Sequence, residues 1–167
     1  LAYLSQERKK KLHSMMFEYD IRDRVKIDQL MELACPDVVI HLASFPRQKI
    51  VGQNPLLASD VMSNGLVTLL ESAKKHRVKK FVYISSSMVY GDFENDVTED
   101  YICRPQGQYG IMKLMGEHLV QDYTRRGCFD HVIIRPSAVY GELDVEDRVV
   151  SKFMLAAMRG EIGRAHV

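Results

Sequence analysis

Residues 80–91 read KFVYISSSMVYG, a run of β-branched and aromatic residues that stops at three consecutive serines. A continuous apolar run of this kind is typical of a strand buried on both faces in a parallel sheet. Similar runs occur upstream, where residues 37–44 read DVVIHLAS, and downstream, where residues 131–141 read HVIIRPSAVYG. Segments with helical periodicity separate the three runs. This alternation predicts a parallel sheet with helices on both faces, joined by right-handed crossovers.

The helices are predicted from apolar residues that recur at helical spacing. Asn54 and Pro55 suit the cap and the first turn of the second helix. The expected helices cover residues 27–34, 54–77, 109–126 and about 150–157, and the expected strands cover residues 15–19, 37–43, 80–85 and 131–135.

The composition is that of a soluble globular domain. The chain has 167 residues, 46% of them hydrophobic, and a formal net charge of +1, so it lacks the basic surplus of a nucleic-acid-binding protein. No apolar run approaches the roughly 20 residues that a membrane span needs. Three cysteines without CxxC spacing, and histidines without ligand spacing, predict no metal site and a reducing, cytoplasmic environment.

Both ends of the chain read as cut. The sequence begins at Leu1 without an initiator methionine, and residues 162–167, IGRAHV, back-translate to part of a common sequencing-library adapter. We therefore expect residues 1–161 to be part of one domain and residues 162–167 to be a read-through artefact. A genuine polar tail is the alternative.

A tyrosine and a lysine at helical spacing are the candidate chemistry. Ligands of parallel sheets bind beyond the carboxyl ends of the strands, and Tyr109 and Lys113 lie on one face of the helix that leads away from this edge, about 6 Å apart. A nearby ammonium lowers a tyrosine pKa that is about 10 when unperturbed, so Tyr109 can exchange a proton with a substrate hydroxyl near neutral pH. An exposed Tyr-Lys pair without function is the alternative. We expect His41, at a strand end, to be a packed, hydrogen-bonded histidine and not a catalyst.

Three motifs follow one another along the chain: SSSMVYG at residues 85–91, YGIMK at residues 109–113 and RPSAVYG at residues 135–141. Together they resemble the extended short-chain dehydrogenase/reductase family, in particular its NAD-dependent sugar-nucleotide epimerase/dehydratase group. The likeness covers residues 19–160. It implies an α/β fold, a Rossmann-like doubly wound parallel sheet, that is incomplete here. We therefore expect residues 1–161 to be part of an NAD(P)-binding, Rossmann-like domain whose first βαβ unit, with the glycine fingerprint GxxGxxG, and whose C-terminal substrate part are missing here.

The resemblance implies a nicotinamide cofactor, NAD with NADP as the alternative, and roles for residues of this chain. The implied catalytic residues are Ser86, Tyr109 and Lys113. Asp20 and Ile21 would flank the adenine, with a loop carboxylate that caps the next helix as the alternative for Asp20. The implied cofactor-binding residues are Asp20, Ile21, Ala43, Ser85, Tyr109, Lys113 and Pro136, and the implied substrate-binding residues are Ser86, Ser87 and Ser137.

The reaction implied by the resemblance is epimerisation at C4 of a sugar nucleotide through a 4-keto intermediate. Dehydratases of this group carry an acidic residue two places after the catalytic serine, where this chain has Met88, and a thioether does no acid–base work. An NADP-dependent keto-reductase acting on another small carbonyl substrate and a non-catalytic, dinucleotide-sensing regulator are the alternatives. Full-length members of the family commonly form homodimers, and we expect the present fragment to be inactive alone.

Overall fold

Three parallel strands form the sheet of the computed structural model, which describes residues 17–92, 97–139, 141 and 149–161. They are β1 (Val38–His41), β2 (Lys80–Ile84) and β3 (Asp130–Ile134), paired in the order β1-β2-β3. The helices are α1 (Arg24–Ala34), α2 (Gln48–Gln53), α3 (Pro55–Ser59), α4 (Leu66–Lys75), α5 (Gly107–Arg125) and α6 (Val149–Met158), with a π-helical segment at Asp60–Gly65 and a 3₁₀ turn at Ser87–Val89. The predicted alternation of strands and helices and the parallel pairing are confirmed.

The register brings the carboxyl ends of the strands side by side. His41, the last residue of β1, pairs with Tyr83 of β2. Ile84, the last residue of β2, pairs with Ile134 at the end of β3. The segments that follow the strands therefore start at one edge of the sheet, where ligand sites of such sheets form.

One face of the sheet carries the main core. Phe81 and Tyr83 of β2 are buried on this face, and helices α1, α4 and α5 supply the side chains that pack against them. The buried cluster consists of Ile27, Met31, Leu66, Leu69, Leu70, Ala73, Val78, Phe81, Tyr83, Val120, Tyr123 and Phe129.

The opposite face of the sheet is less covered. Val38, Ile40, Val132 and Ile134 are 41–59% exposed, because successive side chains of a strand point to opposite faces. The apolar runs in the sequence predict strands that are buried on both faces. Within the described residues of the unit Leu1–Arg135, however, helices pack on only one face.

The chain divides into two compact units, Leu1–Arg135 and Pro136–Val167. The second unit contains α6, which agrees with the predicted last helix. None of the described residues from Pro136 onward is buried. The segment predicted to be an adapter artefact, residues 162–167, lies outside the described residues.

Two local predictions are wrong. The part of residues 15–19 that the structure describes, Phe17–Tyr19, forms no strand, because no described strand lies beside it to supply backbone hydrogen bonds; Met15 and Met16 lie outside the described residues. The side-chain cap expected of Asn54 is also not formed, although Asn54 is the N-cap residue of α3 and Pro55 its first residue, as predicted. Helical structure already begins at Gln48, and the backbone N–H of Asn54 closes α2 by donating to the carbonyl oxygens of that helix.

Candidate active site

The segment after β2 turns sharply through its serines. Ser86 is the N-cap of the 3₁₀ turn Ser87–Val89, and its Oγ accepts a hydrogen bond from the backbone N–H of Met88 at 3.2 Å. Serine suits this position because its short side chain reaches an N–H that has no partner inside the turn. Ser86 is buried. Its oxygen is thereby fixed at the edge of the sheet, while its hydrogen can still be donated.

Helix α5 begins against this turn. A Cβ on Gly110 would lie 2.6 Å from the carbonyl oxygen of Met88, so a residue with a side chain would push the helix away. The backbone N–H of Tyr109 donates to Gln48 Oε1 at 3.0 Å, which satisfies one of the unpaired donors of the first helical turn. These contacts hold the start of α5, with Tyr109, beside the serine turn.

Lys113 is buried one turn after Tyr109. Its side chain is 4% exposed, and Tyr109 is 9% exposed. The Nζ of Lys113 donates to the carbonyl oxygen of Ile84 at 2.8 Å, and it lies 5.4 Å from the centre of the Tyr83 ring and 5.8 Å from the centre of the Tyr109 ring. The two residues are therefore not the solvent-exposed pair of the alternative interpretation.

Burial dominates the electrostatics at this edge of the sheet. Removal from water lowers the pKa of Lys113 from 10.5 to about 8, because desolvation disfavours the charged form. Burial, with the charge of Lys113 as a second cause, lowers the pKa of His41 to about 4. Burial also raises the pKa of Tyr83 well above its usual value. Near neutral pH the site therefore holds an ammonium beside a neutral imidazole and a neutral phenol.

His41 is packed as predicted. Its ring stacks on that of Tyr83, with 5.8 Å between the ring centres. The hydrogen bond expected for His41 is not found among the residues that the structure describes, because the ring is enclosed by aromatic side chains at this position.

Glu117 is a candidate that the sequence motifs did not single out. It is 1% exposed, and its carboxylate accepts hydrogen bonds from the hydroxyl of Ser85 and from the guanidinium of Arg135. Spacing is the signal that could have found it: Glu117 follows Lys113 by four residues, as Lys113 follows Tyr109, so the three share one helix face. An ionised group on a buried face requires a partner. The Ser85 hydroxyl is thus engaged by Glu117, and its contact with a cofactor stays a prediction.

Asp20 and Ile21 lie against a different part of the fold. Hydrogen bonds from the side chain and backbone N–H of Arg22 lower the pKa of Asp20 to about 2. The side chain of Ile21 fills the space at Gly65, where a Cβ would lie 2.6 Å from it. The side-chain cap of α1 is Asp23, so the alternative role of Asp20 as a helix cap is wrong.

The remaining predicted site residues fall into two groups. Ala43 follows the end of β1 and is exposed, and Ser87 opens the 3₁₀ turn and is partly exposed. Pro136 and Ser137 belong to the second unit, and their part in the site stays a prediction. The structure therefore brings together one set at the edge of the sheet: Ser85, Ser86, Ser87, Tyr109 and Lys113.

No group of three or more His, Cys, Asp or Glu side chains among the described residues is arranged to hold a metal ion. No helix in the described part of the chain has the length and apolar character that crossing a membrane requires.

The sequence model of the NAD dependent epimerase/dehydratase family matches residues 2–164 of this chain. A dTDP-D-glucose 4,6-dehydratase of Dictyostelium discoideum is 27% identical over 157 residues. The matched region covers 87% of this chain and 36% of that protein.

Two solved epimerase structures resemble the fold. A UDP-glucose 4-epimerase of Thermotoga maritima, solved with UDP-glucose, has a TM-score of 0.78 and 30% identity, and the match covers 87% of this chain and 49% of that one. A UDP-glucose 4-epimerase of Thermus thermophilus, in complex with NAD, has a TM-score of 0.77 and 25% identity, and the match covers 86% of this chain and 47% of that one. The chain therefore spans about half the length of these solved relatives.

Proposed function

Since the chain belongs to the NAD-dependent epimerase/dehydratase family, we propose that it is part of an NAD-dependent epimerase that inverts C4 of a sugar nucleotide. The observation that carries this proposal is the buried Lys113, whose ammonium lies between the rings of Tyr83 and Tyr109 and donates to the carbonyl oxygen of Ile84. Ionisable groups with shifted pKa values cluster at functional sites. The serine turn with Ser86 follows Ile84 directly.

The donors at this edge of the sheet fit a nicotinamide dinucleotide. Lys113 has three N–H donors, of which Ile84 accepts one, so the others are available for ribose hydroxyls. When bound, the nicotinamide supplies the acceptor and donor of hydride for the sugar carbon. The residues that would hold the dinucleotide are Tyr109 and Lys113 at the nicotinamide ribose, Pro136 near the nicotinamide, and Asp20 and Ile21 at the adenine. Ala43, through its backbone, and Ser85 are the further cofactor contacts that we propose.

Tyr109 is the base in the proposed reaction. Its phenolate removes the proton of the C4 hydroxyl, and the ammonium of Lys113 favours this phenolate because opposite charges attract. Ser86 donates a hydrogen bond to the same sugar oxygen. After the 4-keto sugar has turned in the site and its other face has been reduced, Tyr109 returns the proton. Ser87 and Ser137 are the further contacts that we propose for the substrate.

Met88 supports epimerisation over dehydration. It stands where the dehydratases of this group have an acid, and its thioether neither gives nor takes a proton. A keto-reductase that uses NADP needs the same Ser86, Tyr109 and Lys113, so only the products of the reaction distinguish it from an epimerase. Because Tyr109 and Lys113 are both present, a dinucleotide-sensing regulator is disfavoured.

The whole protein is, in this proposal, a cytoplasmic homodimer that acts on a sugar nucleotide. The fragment of 167 residues is inactive alone, because the sequence contains no GxxGxxG fingerprint to seat the pyrophosphate of the cofactor on a helix N-terminus.

Replacement of Tyr109 tests the proposal in the full-length enzyme. With NAD and UDP-glucose, we expect the wild type to form UDP-galactose and Tyr109→Phe to form it at least about 100-fold more slowly, while NAD still binds. Tyr123→Phe is the matched control, because Tyr123 lies on the same helix and bonds Glu71 outside the serine turn; it should keep its turnover. Wild-type turnover by Tyr109→Phe would overturn the proposal. Reduction of a ketone with NADPH, without epimerisation, would favour the keto-reductase.

A further inference from the structure

Among the residues that the structure describes, Glu117 is the one whose carboxylate is buried. Its Oε1 accepts hydrogen bonds from the hydroxyl of Ser85 and from Nε of Arg135 at 3.0 Å, and its Oε2 accepts one from Nη2 of Arg135 at 2.7 Å. A bidentate pair between a guanidinium and a carboxylate fixes the orientation of both groups. Both oxygens of Glu117 are therefore held by charged or hydroxyl donors.

The partners of Glu117 belong to different elements of the fold. Glu117 lies on α5, one turn after Lys113. Ser85 follows β2 and directly precedes Ser86, and Arg135 follows β3. One carboxylate thus joins the helix that carries the proposed base to the strand end that carries the proposed hydroxyl donor.

Arg135 extends this link to the residues that follow the serine turn. Its Nη1 donates to the hydroxyl of Tyr90 at 3.0 Å and to the carbonyl oxygen of Glu99 at 2.8 Å. The hydrogen bonds to Glu117 first, and to Tyr90 next, raise the pKa of Arg135 above its usual value. The guanidinium therefore stays charged and keeps the pair with Glu117 intact.

We propose that Glu117 is a positioning residue for the reaction proposed above, on which this inference rests. Without touching the substrate, Glu117 holds Ser86 where its hydroxyl reaches the same sugar oxygen as Tyr109. Among the described residues, the hydrogen bond of the Lys113 side chain goes to the main chain of Ile84, whereas Glu117 accepts one from the side chain of the residue next to Ser86. A displacement of about 1 Å between reacting groups can slow a reaction roughly 100-fold.

Two variants of the full-length enzyme test this role. Glu117→Gln keeps the size of the side chain but loses the charge that faces Arg135, so the pair that orients the acceptor of Ser85 is broken and the link to Ser85 is broken with it. Ser85→Ala removes only the link to the serine turn and leaves the Glu117–Arg135 pair intact. Turnover of UDP-glucose is measured per NAD-loaded site, with the stoichiometry and Kd of NAD obtained by titration, so that unfolded protein does not count.

We expect kcat per loaded site to fall about 10- to 100-fold in Glu117→Gln and roughly 3- to 10-fold in Ser85→Ala. KM for UDP-glucose and Kd for NAD should stay within about threefold of the wild type, because the sugar is held by other residues and the Ser85 hydroxyl is already engaged by Glu117. The double variant should be no slower than Glu117→Gln, since both changes break one link. Glu71→Gln is the control: this carboxylate also accepts from a hydroxyl, that of Tyr123, and should keep its kcat.

Wild-type kcat in Ser85→Ala, beside an inactive Tyr109→Phe, would overturn the positioning role and leave the proposed function standing. Losses that multiply in the double variant would also overturn it, because Glu117 and Ser85 would then act separately. A raised Kd for NAD in Ser85→Ala would assign the serine to the cofactor instead. Turnover by Tyr109→Phe would refute the proposed function itself. If Glu117→Gln does not fold, the kcat of Ser85→Ala by itself tests the positioning role.

Discussion

Tyr83 and Gly116 touch so closely that no side-chain atom fits between strand β2 and helix α5: a Cβ on Gly116 would lie 2.1 Å from the Tyr83 hydroxyl oxygen. The Tyr83 ring is buried and stacked on His41, so it has little room to retreat. This contact sets how near α5 lies to β2. It thereby allows Lys113 to reach the carbonyl oxygen of Ile84.

Gly116→Ala should destabilise the protein for this reason. Overpacking costs about 1–3 kcal/mol and the better helix former returns about 1 kcal/mol, so urea unfolding should show a net loss of up to about 2 kcal/mol. Gly52→Ala, in α2 with nothing within 4 Å of the added Cβ, is the matched control and should be neutral or stabilising. Equal effects of the two substitutions would contradict the close contact.

The buried Lys113 should make stability depend on alkaline pH. Between pH 8, near the lowered pKa in the folded protein, and pH 10.5, the unfolded chain holds a proton on this lysine that the folded protein has lost. The free energy of unfolding therefore rises with pH in this window, by about 3 kcal/mol at most. The measurement is urea unfolding of the wild type and of Lys113→Met at a series of pH values. The difference between their free energies of unfolding isolates the contribution of Lys113, because the variant has no such group to titrate. Lys49→Met, at an exposed lysine, should behave as the wild type.

His41 should make the stability of the protein depend on pH in the acidic range. Its pKa of about 4 in the folded protein lies below the ordinary 6.5, so between these values only the unfolded chain binds the proton, and stability falls as the pH decreases. His41→Phe retains a ring that stacks on Tyr83 but has no group that binds a proton, so its stability should not fall in this way. From pH 7 to pH 4, its free energy of unfolding should rise relative to that of the wild type by up to about 3 kcal/mol. The exposed His118 provides the matched control, His118→Phe. A pH-independent difference between His41→Phe and the wild type would show that the folded protein accepts the proton.

The main core should be sensitive to cavities. Leu70 of α4 is fully buried in the cluster on β2, and Leu70→Ala should lower the free energy of unfolding by about 2–5 kcal/mol. Leu33→Ala, at a position of α1 that is 70% exposed, should change it by less than about 0.5 kcal/mol. Thermal or urea unfolding of both variants measures the difference, and a small effect at Leu70 would mean that the cluster is loosely packed.

Local patterns in the sequence were enough for the strands, most helices and the parallel arrangement of the sheet. Residues 37–43, 80–85 and 131–135 are short β-branched runs separated by helical periods, and such signals need no knowledge of distant residues. The motifs around Ser86 and Tyr109 likewise identify the family. The strand predicted at residues 15–19 failed because a strand exists only with a paired neighbour, which a local pattern does not report.

Only the tertiary structure decided which side chains meet. Ser85 and Glu117 are 32 residues apart in sequence, and no local pattern showed that Arg22 bonds the carboxylate of Asp20. That Lys113 is buried, with its pKa lowered by burial, follows from the close approach of α5 to β2. Spacing along a helix tells which groups share a face, whereas packing determines what that face touches and how much water remains, and the charge state depends on both.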